Sequence, residues 1–180
     1  MKIIQVLDYN YFGEGYLEIA KSAERYVDII WFRIKDRQDI YEKAKRLRDK
    51  LPNAFLVLSL NAEIASELGY QGVQLGVDSD IDSIRHEYPN LKIGYSAHSI
   101  DEIRDKNADY FTLSPIFHTE KDFLVKPLGL IDVSGINKVI YGLGGISSEN
   151  FNKLHGLGFS GVAGISFYKE LAKLRSLCIS

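Results

Sequence analysis

Residues 139–147 read VIYGLGGIS, an apolar run that leads directly into a pair of glycines. Residues 161–166 read GVAGIS, and this shorter apolar run also ends in Gly-Ile-Ser. Each stretch has the form of a buried strand followed by a loop whose backbone can approach a ligand closely. Between them, residues 147–150 (Ser-Ser-Glu-Asn) carry the signals of a helix start. A strand, a glycine loop, a helical segment and a second strand in this order predict one unit of a parallel sheet.

The rest of the chain repeats this unit. Segments with helical spacing lie at 40–50, 99–106 and 147–155, and Ser99 with Glu102 forms a capping box at the start of the second. Short apolar runs predict eight strands, at 2–7, 28–32, 54–58, 72–75, 92–95, 110–113, 139–142 and 161–165. Strand followed by helix, eight times, predicts an α/β fold with one domain over 1–180, a small all-parallel eight-stranded (β/α)8 TIM barrel.

The alternative to a barrel is an open, doubly wound sheet. That fold usually has five or six strands and a glycine-rich loop after the first one. Here the first strand is followed by DYNYF at 8–12, and the glycine clusters come after strands seven and eight instead. The barrel is therefore the favoured interpretation.

Composition restricts the class of protein. The 180 residues are 46% hydrophobic and 26% charged, with a net charge of −2. A nucleic-acid-binding domain usually has a basic face, so a small-molecule ligand is expected and nucleic acid is not. The single cysteine, Cys178, excludes a disulfide within the chain and is typical of a reducing compartment. No apolar run reaches the roughly 18 residues of a membrane span, so we expect no membrane association and a cytoplasmic protein.

The carboxyl ends of the strands are where a barrel of this kind builds its active site, and phosphate is often bound after strands seven and eight. Glycine loops stand at both places, at 142–147 and 164–166. Backbone N–H groups in such loops can surround an anion. The sequence therefore predicts a phosphate site there, although the same glycines are also compatible with tight turns alone.

Charged residues follow strand two. Arg33 and Lys35 are two positions apart and share a side if the strand continues, so they are candidates to clamp a phosphate or diphosphate. The alternatives are two solvated charges at the end of the strand, or ion pairs with Asp36 or Asp8. After strand five, Ser96 is the candidate ligand contact, whereas His98 is expected to tie its loop to a backbone carbonyl.

The loop after strand six, at 114–129, is the longest and is a candidate lid or binding loop. His118 lies in it, and histidine suits proton transfer near neutral pH. A surface histidine without a catalytic role is the alternative. Asp78 and Asp80, after strand four, are the only weak candidates for a metal site, since acidic residues at a helix start are also common.

Several of these segments together resemble the thiamine-phosphate synthase/TenI family over about residues 28–166. The resemblance is carried by the order and spacing of Arg-x-Lys at 33–35, GVQLG at 72–76, IGYSAHS at 93–99, DYFTLSPIFHT at 109–119, PLGL at 127–130, GGI at 144–146 and GVAGIS at 161–166. The family contains two chemistries. The synthase joins hydroxymethylpyrimidine diphosphate to a thiazole phosphate with Mg²⁺, and TenI-type members are thiazole tautomerases that aromatise a thiazole carboxylate phosphate.

The resemblance also implies site residues. The backbone of Gly144, Gly145, Ile165 and Ser166 would bind the thiazole phosphate. Residues that match the synthase's other substrate contacts are Arg33 and Lys35 for the diphosphate, Ser96 after strand five, and Thr119 and Lys121 in a Thr-x-Thr-Lys loop that is one residue shorter here.

Departures from the synthase pattern concern its metal. Ser59-Leu60 stands where the synthase carries Asn-Asp, Ser79 stands where it carries a second Asp, and Gln74 replaces a histidine. The TenI histidine position holds Pro115, three residues before His118. The resemblance thus implies an enzyme acting on a phosphorylated thiazole, with a metal-independent TenI-like tautomerase as the first interpretation. A diverged synthase that requires Mg²⁺ and a non-catalytic barrel that binds a phosphorylated ligand are the alternatives, and a homo-oligomer is expected by analogy.

Overall fold

The chain forms a closed barrel of eight parallel strands. The computed structural model describes residues 1–35, 39–119 and 126–179. Neighbours along the chain pair in parallel, and the first strand also pairs with the last, with Ile4 opposite Ala163, so the sheet has no edge. The strands are β1 Lys2–Asp8, β2 Ile29–Arg33, β3 Leu56–Ser59, β4 Gly72–Leu75, β5 Lys92–Ala97, β6 Tyr110–Leu113, β7 Ile140–Leu143 and β8 Gly161–Gly164. The predicted TIM barrel is confirmed.

Helices cover the outside of the barrel. The described residues form the α-helices α1 Tyr9–Phe12, α2 Tyr16–Ala23, α3 Ile40–Lys50, α4 Ala62–Glu67, α5 Ile81–Glu87, α6 Ile100–Asp105 and α7 Leu171–Ile179. Short 3₁₀ helices occupy Gly13–Gly15, Glu24–Tyr26, Phe151–Leu154 and Ser166–Glu170. In the part of the chain that is described, no helix is long and apolar enough to cross a membrane.

Two of the three predicted helices are confirmed. The helix predicted at 40–50 has those bounds, and α6 begins after Ser99, whose hydroxyl accepts the N–H of Glu102 at 3.2 Å. The helix predicted at 147–155 is wrong over its first half, where residues 148–150 form a turn. A 3₁₀ helix, Phe151–Leu154, follows the turn. The Asn150 side chain binds backbone at both of its ends, accepting from Ser147 N (2.9 Å) and donating to Gly145 O (2.8 Å), and so stabilises the turn.

The connection between β6 and β7 is described over 114–119 and 126–139. These parts run as loop and turns and contain no helix. Over the described residues, the repeat of strand and helix is therefore less regular than the sequence predicts.

Alternation along the strands divides the core into two parts. One set of side chains packs between the strands and the helices, and includes Ile3, Phe32 and Phe111. The other set fills the barrel itself as a separate cluster, consisting of Ile4, Val6, Ile29, Trp31, Val57, Tyr110, Tyr141 and Ala163.

Polar side chains take over the inward positions towards the carboxyl ends of the strands. Arg33 comes two residues after Trp31, Ser59 two after Val57, and Thr112 two after Tyr110, so each points to the same side as its apolar predecessor. The barrel thus has an apolar floor and a polar mouth, and the mouth is where a ligand can be bound.

Burial of the interior tyrosines predicts a loss of stability in alkaline solution. It raises the pKa of Tyr141 to about 12, and it also raises the pKa of Tyr110. A tyrosine in the unfolded chain ionises near pH 10, so the stabilisation from the neutral form is complete below that pH. It falls as the pH rises from about 10 towards 12, by about 1.4 kcal/mol per pH unit for each tyrosine.

We expect urea titrations to show the free energy of unfolding declining between pH 10 and 12, with a shallower decline in a Tyr141→Phe variant. Equal slopes for the variant and the unaltered chain would contradict this assignment.

Candidate active site at the mouth of the barrel

Two adjoining cavities open at the carboxyl ends of the strands. The first has a volume of about 490 Å³ and lies over β6, β7 and β8, and the second has about 800 Å³ and lies over β2 to β5. Arg33, Ser114 and Leu143 line both of them. A ligand in one cavity is therefore separated from a ligand in the other by only a few side chains.

The glycine loops line the first cavity. All four residues assigned to phosphate, which are Gly144, Gly145, Ile165 and Ser166, lie on its wall. Gly144 and Gly145 have φ values of +97° and +66°, which favour glycine over residues with a side chain. This conformation turns the chain sharply beneath the cavity and leaves backbone, rather than side chains, facing a ligand.

The loop after β6 is attached to the glycine loop. Ile116 N donates to Leu143 O at 2.9 Å, and Phe117 N donates to Gly144 O at 3.0 Å. A Cβ atom built on Gly145 would lie 2.4 Å from the carbonyl oxygen of His118, so the two loops touch where Gly145 lacks a side chain.

This attachment brings His118 to the first cavity, together with Thr119 and Pro115. The imidazole is exposed and shares the cavity wall with the predicted phosphate loops, as proton transfer to a bound phosphate ester would require. Lys121, the remaining residue assigned from this loop, lies outside the described residues.

The second cavity contains the predicted cations. Arg33 and Lys35 line it, and so does Ser96 from β5. β2 ends at Arg33, and the intervening Ile34 also lines the cavity, so the predicted alternation does not extend to Lys35. The alternative for Arg33 also holds, since its Nε lies 3.4 Å from Oδ2 of the buried Asp8. A guanidinium has five N–H donors, so an ion pair through Nε can hold the side chain in place while its other N–H groups face a ligand.

Neutral hydrogen-bonding groups complete the second cavity. Gln74 Nε2 donates to Ser96 Oγ at 3.1 Å and to Thr112 Oγ1 at 3.3 Å, which positions the Ser96 hydroxyl. His98 also lines the cavity, and its Nδ1 lies 3.0 Å from Ser114 O, the backbone contact that the sequence predicts.

The weak metal candidates lie elsewhere. Asp80 caps α5, where its carboxylate accepts the N–H and the hydroxyl of Ser83 at 3.0 and 2.8 Å. These hydrogen bonds lower the pKa of its carboxyl. Neither Asp80 nor the exposed Asp78 is among the residues that line the two cavities.

Among the described residues, the donor set at the mouth does not fit Mg²⁺. That ion is bound through carboxylate oxygens, and the described residues lining either cavity provide none. Nor do the described residues contain a group of three or more His, Cys, Asp or Glu side chains that could bind a metal.

Leu60 lies at the candidate site in a backbone conformation that the sequence does not predict. It lines the second cavity with 62% of its surface exposed, and its φ of +60° lies in the left-handed region. A residue with a side chain pays about 1–2 kcal/mol for this conformation, although Asn and Asp tolerate it better.

Replacing Leu60 with asparagine should therefore raise the free energy of unfolding by about 0.5–1 kcal/mol, because strain is relieved and little buried area is lost. The midpoint of urea unfolding measures this effect. A lower midpoint for the variant would show that Leu60 contributes packing that outweighs its backbone strain.

Two aromatic contacts were also not predicted. Tyr11 from α1 lines the first cavity, and Trp31 from β2 lines the second while donating its Nε1–H to Ser59 Oγ at 2.7 Å. Both residues lie near the carboxyl end of a strand, β1 for Tyr11 and β2 for Trp31, and this position is the feature of the sequence that points to the mouth.

Comparisons with known proteins agree with this architecture. Thiamine phosphate pyrophosphorylase from Pyrococcus furiosus superimposes with a TM-score of 0.83 at 24% identity, covering 98% of this chain and 94% of that one. Phosphoribosyl anthranilate isomerase from Thermus thermophilus superimposes with a TM-score of 0.70 at 15% identity, covering all of both chains. Similarity at these identities establishes the barrel fold.

Sequence relatives are more specific. The chain is 32% identical to "Putative thiamine-phosphate synthase 2" of Aquifex aeolicus, over 94% of this chain and 98% of that protein. It is 26% identical to a thiamine-phosphate synthase of Methanococcus maripaludis, over 92% of this chain and 86% of that protein. The family model described as thiamine monophosphate synthase matches residues 6–167. The chain therefore belongs to the thiamine monophosphate synthase family, TMP-TENI.

Proposed function

We propose that this protein is a thiazole tautomerase that aromatises a thiazole carboxylate phosphate without a metal ion. The observation that supports this most directly is the first cavity, where His118 shares one wall with both glycine loops. The carboxylate-free lining of both cavities by described residues favours the same chemistry over a metal-dependent one.

In this proposal the phosphate is bound by backbone N–H groups of Gly144, Gly145, Ile165 and Ser166. Ser166 begins a 3₁₀ helix, so the local backbone N–H groups favour an anion at this point. The ring is covalently linked to the phosphate. A phosphate bound in a fixed position by backbone groups therefore also limits where the ring can lie in the cavity.

His118 then acts on the ring. Aromatisation is an isomerisation, in which a ring C–H bond breaks and a proton is returned to another atom of the same molecule, so neither oxidant nor reductant is needed. An imidazole can accept the proton and deliver it again near neutral pH.

The test is an assay with the non-aromatic thiazole carboxylate phosphate in EDTA, without any pyrimidine. We expect the absorbance of the aromatic product to appear faster than in buffer alone, at a rate proportional to enzyme concentration. Aromatisation at the uncatalysed rate would contradict the proposal.

Thiamine-phosphate synthase activity is the second candidate. The two cavities meet at Arg33, Ser114 and Leu143, an arrangement suited to joining two substrates, and the curated relatives carry the synthase name. This candidate predicts thiamine phosphate and diphosphate on addition of hydroxymethylpyrimidine diphosphate, thiazole phosphate and Mg²⁺. Product that requires Mg²⁺, with no tautomerisation in EDTA, would replace the first proposal by this one.

A further inference from the structure

The lip of the first cavity carries an exposed aromatic side chain. Tyr11 lines the cavity while 60% of its surface remains accessible to solvent. A large aromatic ring at the edge of a concave site, half in water, can cover the face of a bound ring at little conformational cost.

Contacts on both sides fix the helix that carries Tyr11. At its start, the Asp8 side chain accepts the N–H of Asn10 at 2.9 Å. At its end, Gly13 adopts a φ of +54° and donates its N–H to Tyr9 O. These hydrogen bonds define where α1 begins and ends, and so place Tyr11 three residues after the end of β1.

A chain of ring contacts connects Tyr11 to the phosphate loop. The Tyr11 and Phe12 rings meet edge to face at 4.8 Å, and Phe12 meets Tyr168 edge to face at 5.1 Å. Tyr168 belongs to the 3₁₀ helix that begins at Ser166. The lip and the predicted phosphate site are thus parts of one packed unit.

The remaining wall of the cavity suits a flat ring. Leu143, Pro115 and Ile165 provide apolar surface beside the glycine loops. A planar ring anchored by its phosphate could lie with one face towards this wall and the other towards Tyr11, whereas a puckered ring fills the same space less well.

From this geometry we propose that Tyr11 is a specificity-determining residue that stacks on the ring of the ligand, so that the first cavity selects phosphate esters of flat rings over those of puckered rings. The inference rests on the proposed function only for the position of the phosphate. It concerns binding, so it can be tested without any turnover.

The experiment uses two matched probes, 2-phenylethyl phosphate and 2-cyclohexylethyl phosphate, which carry the same phosphate on a flat and on a puckered ring. Titration calorimetry with the full chain gives their two dissociation constants. We expect the phenyl ester to bind about 2–10-fold more tightly, the range that aromatic pairing provides.

Variants of Tyr11 separate stacking from apolar area. Tyr11→Phe should keep the preference for the flat ring, whereas Tyr11→Leu, which keeps much of the apolar surface, and Tyr11→Ala should both lose it. Inorganic phosphate should bind all four proteins alike, which excludes damage to the phosphate loops.

Three outcomes would overturn the inference: an unchanged preference in Tyr11→Ala, a full preference in Tyr11→Leu, or failure of both esters to bind the unaltered chain. Absence of tautomerisation together with a Tyr11-dependent preference would reject the proposed function and leave this inference standing.

Discussion

Replacing His118 with alanine is expected to lower the rate of aromatisation at saturating substrate by about 10²–10³-fold, within the range that general acid–base catalysis provides. The Michaelis constant should change little, because the proposed phosphate site consists of backbone groups on other loops. Side-chain truncation at this exposed position should also leave the unfolding midpoint nearly unchanged. Steady-state kinetics and urea unfolding measure the two effects.

His155 provides the matched control for this prediction. It is likewise exposed, but it packs against Phe151 with ring centres 5.1 Å apart and does not line either cavity. His155→Ala should therefore keep the rate of the unaltered chain. A His118→Ala variant that also kept this rate would remove the catalytic role and return His118 to the alternative of a surface histidine.

A second large effect is expected for Gly145→Ala. The new Cβ would lie 2.4 Å from His118 O and 2.8 Å from Phe117 Cβ, in a backbone conformation with φ of +66°. Neither the backbone oxygen nor the loop can yield cheaply, so we expect a loss of about 2–4 kcal/mol in the free energy of unfolding. Displacement of both loops by even 1 Å should also lower kcat/KM by about 10²-fold.

Gly135→Ala is the control for adding a methyl group. A Cβ at Gly135 meets nothing within 4 Å, and the backbone there is not left-handed. This variant should match the unaltered chain in stability and activity. If Gly145→Ala were as stable and as active as Gly135→Ala, the close contact between the two loops would not exist in solution.

The strands could be predicted from sequence because each is buried on both faces and reads as a short apolar run. Their ends were less predictable. β1 continues to Asp8 because it pairs with Arg33 on β2, and β3 begins only at Leu56, after the partly exposed Phe55. Because Asp8 is polar, the sequence does not indicate that it belongs to β1. Phe55 is apolar and was expected in the third strand, but β3 begins one residue after it.

The wrong start of the helix predicted at 147–155 has a similar origin. Ser147 and Asn150 are residues that begin helices, but the same side chains can close a turn by binding nearby backbone. Asn150 does so with Gly145 O, a partner whose position depends on the fold of the glycine loop. Local sequence therefore offered two outcomes, and the tertiary structure selected one.

The gathering of the candidate residues at one mouth could be predicted from topology, since residues that follow parallel strands lie at the same end of a barrel. Its division into two cavities did not, because that depends on side-chain directions at Arg33, Ser114 and Leu143. Leu60 could not be found either, since no pattern in a single sequence marks a leucine as left-handed. Nor does the sequence distinguish Tyr11 from the aromatic residues that pack in the core.

The wall shared by the two cavities has a thermodynamic consequence. Arg33 can reach a ligand in either cavity while Asp8 holds it in place. If anions occupy both cavities at once, we expect them to divide the attraction of one guanidinium and to repel each other, so that occupancy of one cavity weakens affinity in the other. Linkage requires that the weakening be equal in both directions. Each ligand would then raise the dissociation constant of the other by the same factor.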